Sequence, residues 1–353
     1  MKAWQKNGIL VVAILAFGAV RMPFEAGLSR DLRKAGLTTE PLEIGTREKI
    51  GQTSSAVALG GLRTLVATFL NLRAFSFFQE RRWDDVADTF ETIVDLAPRT
   101  PYYWETGSWH LAYNAASYYI NDSTLPALRR REAWRSSILQ GRAFLERGIR
   151  NNPNDWNLAA NLGFMLQDSN KFQAFRNDDA TFAAAAEAYR KAADTGKALS
   201  YVRRAQFYAL ARVTGKETEA LALARSLYAD PKNRTPTLQM LLLVLEAHEN
   251  PTMDISKRAI ELFGTPQKAY EALSDHWRRT TEHFPVYGVA SGLESLEKTL
   301  SIPADKSIFN QPLRGPTGPD QWFNSPAPNA PIPATDPKTA DPNAKSSGAL
   351  HQK

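Results

Sequence analysis

The sequence predicts an all-α fold, a solenoid of helical hairpins, on three observations. Apolar residues recur at helical spacing along most of the chain. Threonine–proline pairs open several of these runs. A helix–turn–helix unit at residues 59–98 recurs in looser form downstream.

Composition sets the bounds. A chain of 353 residues with 43% hydrophobic and 23% charged residues can bury a sizeable core. The net charge of +6 is compatible with an anionic membrane or nucleic acid but is too small to argue for either. There is no cysteine, which excludes disulfides, thiolate metal sites and a cysteine nucleophile.

The first element is the uncharged run from Gly8 to Val20, preceded by Lys2 and Lys6 and closed by Arg21. It is shorter than the roughly 20 residues that span a bilayer, but reaches that length if Trp4 and the flanking cations sit at the interfaces. The expectation is a signal anchor over residues 1–24. A cleaved signal peptide and a buried soluble helix are the alternatives. The basic N-terminus favours export of the remainder of the chain, which places it on the extracytoplasmic side of the inner membrane. Residues 25–57 are polar and glycine-containing and read as a linker.

The repeat domain is expected at residues 58–301. Leu62, Leu65, Val66, Phe69, Leu70, Leu72 and Phe77 give its first helix a strongly apolar character. Arg63 and Arg73 argue against a second span, since each costs roughly 2.5–3.5 kcal/mol near the bilayer centre. The helix is expected to lie inside, covered by residues 101–119 and by the linker. The second helix alternates Val86, Phe90, Ile93 and Val94 with acidic residues and stops at Pro98.

Thr100-Pro101, Thr235-Pro236 and Thr265-Pro266 each mark a helix start. Further helices are expected at 101–119, to about 150, 156–167, 182–193, 199–213, 217–228, 236–248, 255–263, 266–283 and 289–300. Asp155 and Asp179 are expected caps. The segment 168–179 is too long for a tight turn and reads as a protruding loop. From residue 302 the chain carries nearly half of its 21 prolines and few apolar residues, so 302–353 reads as a disordered tail.

A helix pair per roughly 34 residues is the tetratricopeptide pattern. The first unit offers Leu70, Ala74, Phe77, Phe90 and Pro98, and the second keeps Trp104 and Pro153. The third has Leu162, Gly163, Ala185, Tyr189 and Ala192, and the fourth Tyr201, Ala205, Tyr208, Gly215, Ala220 and Ala224. A small residue lets two helices approach while an aromatic ring fills the opposite hole. The chain also resembles a group of bacterial membrane-anchored tetratricopeptide-like proteins. The resemblance rests on ALGGLR at 58–63, LNLRA at 70–74, WHLAYN at 109–114, GIRNNP at 148–153 with Asp155, and FPVYG at 284–288 with Leu296-Glu297. It covers roughly residues 55–303 and implies a membrane-tethered α-solenoid serving an envelope assembly. It supplies no reaction and no site residues.

Candidate partner-binding residues come from two clusters. Tyr102, Tyr103, Trp109 and Tyr113 can line a groove for a peptide, or pack between repeats. Arg131, Arg135 and Arg142, within a run that also holds Arg129, Arg130, Arg147 and Arg150, can meet lipid or an acidic partner, or form the wet face of a helix.

His276 and His283 have no third ligand at fitting spacing, so no metal site is expected. Ser295 and Lys298 match a short nucleophile pattern whose companion motifs are missing. Phosphate-loop, dinucleotide, zinc-protease and hydrolase motifs are absent from the sequence, so no cofactor, small-molecule substrate or nucleic acid is expected. The expected function is therefore a non-enzymatic, membrane-tethered scaffold that binds protein. The alternatives are an envelope-enzyme subunit whose chemistry lies in the loop 168–179, part of a transport or secretion machine, or a soluble regulator.

Overall fold

The computed structural model describes residues 62–175, 177–279 and 283–311. Every regular element among the described residues is helical. The hairpin α1 (Arg63–Gln79) and α2 (Trp83–Leu96) is followed by α3 (Pro101–Trp109), a π-helical turn (His110–Ala115) and α4 (Ala116–Asn121). Then come α5 (Ala127–Asn151), α6 (Trp156–Gln167), α7 (Asp178–Asp194), α8 (Tyr201–Leu210) and α9 (Glu217–Ala229). The described fold continues through α10 (Pro236–Glu249), α11 (Ile255–Phe263), α12 (Pro266–Arg278) and α13 (Val289–Thr299). Each helix packs mainly on its neighbours along the chain, as short connections require.

Small residues set the close approaches. A Cβ on Gly163 of α6 would stand 2.7 Å from the Tyr189 ring of α7, so only glycine lets that ring lie flat on the helix. Gly163 and Tyr189 are thus the small and aromatic partners that the repeat pattern pairs. Gly148 of α5 receives Trp104 of α3 in the same way, at 2.7 Å. Trp104 is fully enclosed, and its indole Nε1 donates to the Pro98 carbonyl at 2.7 Å. The Asn152 amide donates to that carbonyl too, at 2.9 Å, which ties the ends of α2 and α5 together.

Several expected boundaries change. Pro101, Pro236 and Pro266 do open helices, and Thr235 and Thr265 accept from the backbone three residues on, but the Thr100 side chain makes no capping bond. Asp155 caps α6 as expected. Asp179 does not cap α7: Asn177 accepts from the Ala180 N–H, and Asp179 instead accepts from Thr214. The helix expected over 101–119 is interrupted by the π-helical turn, and that expected over 266–283 ends at Arg278.

The segment 168–175 does not protrude. Phe172 and Phe175 are buried, and the Arg135 guanidinium donates to the Ala174 carbonyl at 2.9 Å, so apolar content folds the loop back onto α5. Residues 302–311 belong with the helices rather than the tail, because Ile308 inserts into the core and its N–H donates to Glu297 at 2.8 Å.

The largest departure is α1. Ala67 and Ala74 are buried against α2, yet Leu65, Phe69, Leu72 and Phe75 are exposed, Phe69 by 63%. Residues 101–119 reach α1 near its C-terminal end, where His110 packs on Phe78, and leave this outward face uncovered; the linker 25–57 lies outside the described residues. Among the described residues no helix is long and apolar enough to cross a membrane. The run from Gly8 to Val20 and the tail beyond 311 also lie outside them.

Candidate functional site

The site is built on the π-helical turn. A π turn adds a residue to the helix and often marks a functional position. Here it swings Tyr113 between two neighbouring hollows. Trp109 stacks on one face of the ring, with centroids 4.2 Å apart and planes 15° from parallel. The Lys171 ammonium sits 3.7 Å from the ring centroid. Since Trp109 occupies one face at stacking distance, the cation must take the other. Lys171 is itself buried and paired with Asp168 at 2.7 Å. Burial and the Asp168 charge together push the Tyr113 hydroxyl well above its ordinary pKa, so it stays a neutral phenol.

On the Trp109 side lies a cleft of about 150 Å³ lined by Glu105, Ser108, Trp109, Tyr113, Leu145, Asn161, Phe164 and Met165. Leu145 and Met165, both buried, form its floor. Trp109 and Phe164, 52% and 55% exposed, are the two aromatic walls. Asn161 of α6 donates to Glu105 of α3 at 3.0 Å, and Ser108 donates to the Gly141 carbonyl at 3.0 Å, which fixes the three helices around the opening. A cavity of this volume with apolar lining is large enough for one aromatic ring. On the Lys171 side a second, more polar hollow of about 360 Å³ is lined by Asn114, Ser117, Asn121, Trp134, Asn170 and Lys171, among others.

Of the expected aromatic residues, the structure brings Trp109 and Tyr113 into this site. Tyr102 is exposed but does not line either hollow, and Tyr103 is buried in the core with Tyr102 edge-on against it. The packing alternative holds for Tyr103 and Trp104. The arginine run does not form one open surface. Arg135 is held by Ala174, and Arg142 pairs with Glu146 at 2.8 Å and lies 5.5 Å from the Phe175 ring. Arg147 pairs with Glu91 at 2.6 Å and covers Trp104. Of the run, Arg129 and Arg131 in the first turns of α5 and Arg150 at its far end are exposed.

Sequence reasoning missed Glu105, Asn161, Phe164 and Lys171. Phe164 falls on the outer face of a helix whose leucines, alanines and Met165 are buried, a position that spacing alone marks as ordinary. Lys171 lies in a loop whose two phenylalanines, Phe172 and Phe175, were the signal that it folds inward, but nothing local marks the lysine itself for burial.

The histidines are apart. His276 bonds the Pro285 carbonyl at 2.8 Å, whereas His283 lies against Phe172 and Phe182. Among the described residues no group of three His, Asp or Glu side chains is placed to hold a metal. Ser295 donates to Ser256 at 3.1 Å. No protein-family model and no curated protein matches the chain.

Proposed function

We propose that the chain is a non-enzymatic scaffold of tetratricopeptide-like helical hairpins, tethered to the inner membrane through Gly8 to Val20, that docks a protein segment outside the cytoplasm. The observation that carries this reading is the cleft at Trp109 and Phe164. It offers an apolar floor and two exposed aromatic walls, and it is ringed by polar groups already bonded to one another. Such a site fits an aromatic or aliphatic side chain projecting from a partner, with Glu105 and Asn161 left at the rim to meet its backbone. The neighbour-on-neighbour packing of the helices, with the Gly163–Tyr189 and Gly148–Trp104 fits, supports the repeat architecture and its extension into a solenoid.

The test is photo-crosslinking in cells. A benzophenone side chain at Trp109 or Phe164 is expected to trap one defined protein neighbour, and the same group at Leu199, exposed on the connection between α7 and α8 and outside the cleft lining, is not. Equal or absent crosslinking at all three positions contradicts the docking role.

A further inference from the structure

We propose that the outward face of α1 lies flat in the interface of an anionic lipid bilayer, a second attachment beside the tether. The proposal rests on the tether reading for its setting but on α1 for its chemistry. Leu62, Leu65, Phe69 and Leu72 follow a three–four spacing, which lines them along one side of the helix. That side is turned away from Ala67, Leu70 and Ala74, which pack on α2. Phe75 widens the stripe. These five large apolar side chains are all exposed, Leu72 by 62%. A contiguous apolar face of this kind marks an interaction surface.

Charge selects the occupant. α1 has no acidic residue, while Arg63 and Arg73 are both exposed along it. An interfacial helix has this build, with leucine and phenylalanine in the acyl boundary and arginines reaching the headgroups. A second copy of the same helix would bring arginine against arginine with no acidic partner on either helix. Of the acidic residues of the hairpin, Glu80 follows the last turn of α1 and is paired with Arg82 at 3.2 Å, and the others, among them Asp84 and Asp88, sit on α2. At about 25 Å, α1 is long enough to lie along the surface but not to cross. The apolar run from Gly8 to Val20 precedes it in the chain, so a tethered molecule already holds α1 near the bilayer.

The absence of cysteine allows single labels in the full chain. An environment-sensitive fluorophore is placed at Val12→Cys, Phe69→Cys or Leu199→Cys, in vesicles of phosphatidylcholine with phosphatidylglycerol. The labels at 12 and 69 are expected to shift to the blue and to be quenched by spin-labelled lipid, and the label at 199 is not. Arg63→Glu with Arg73→Glu should return the label at 69 to water while leaving 12 in lipid, since each lost arginine weakens association by about fivefold.

A label at 69 that stays in water while 12 is quenched overturns the proposal and leaves the tether standing. A label at 12 in water with 69 quenched removes the tether and keeps α1 as the attachment. Both in water removes both. Excimer emission from pyrene at Phe69→Cys would show that a second copy covers the face, and would overturn the lipid assignment.

Discussion

Among the described residues, α10 and α1 are both rich in large apolar side chains, and they meet opposite fates. In α10 the residues Leu238, Met240, Leu241, Leu242, Leu243, Val244 and Leu245 are all buried, because α9, α11, α12 and α8 surround it. In α1 a comparable set of leucines and phenylalanines has one extensive neighbour, α2, and its far side stands exposed. A helix hydrophobic on every side calls for cover on every side. Its composition does not say whether the cover comes from the chain or from outside. Position in the array decides: α10 is interior to a run of hairpins, and α1 begins the described one.

The comparison predicts unequal sensitivity to truncation. Leu241→Ala in α10 should lower unfolding stability by about 2–5 kcal/mol, because the cavity has packed helices on all sides. A change under about 1 kcal/mol, read from denaturant midpoints, would mean that α10 is not enclosed as described. Gly163→Val should cost about 1–3 kcal/mol, since Tyr189 is buried and its hydroxyl receives a bond from Gln167 at 2.7 Å, so the ring has no room to retreat.

A third prediction concerns His110, which packs on Phe78 of α1 and Phe90 of α2. Burial holds its imidazole below the ordinary pKa of about 6.5. The unfolded chain therefore takes up the proton first, and stability falls as pH drops below about 6.5. His110→Gln should flatten the melting temperature between pH 7 and about 5, with no such flattening from a change at Asp122 or Glu187, whose lowered carboxylates act only at more acid pH. The smallest effect is at α1. Phe69→Ser should leave the stability of the chain in neutral detergent within about 0.5 kcal/mol, as an exposed position allows.

The same contrast explains what was legible in the sequence. The helical class, the Thr-Pro starts at 101, 236 and 266, and the Gly163–Tyr189 pairing are local or near-local signals, and all appear in the structure. The exposure of α1 was not legible, because a neighbour's absence leaves no mark on the residues that lack it. The inward fold of Lys171 was hidden for a related reason: its partner Asp168 is close in sequence, but the Tyr113 ring it covers comes from another helix. Arg135 and Arg142 read as a charged surface until their acceptors, a loop carbonyl and a carboxylate on the same helix, were placed.

The central claim is that α1 is completed by a bilayer while α10 is completed by the chain. Hydrogen exchange on the full-length protein tests it directly, comparing neutral detergent with anionic vesicles. The expected result is that α10 amides are protected to the same degree in both, and that α1 amides exchange rapidly in detergent and gain protection in vesicles. Equal exchange of α1 in the two conditions, with α10 unchanged, would contradict it.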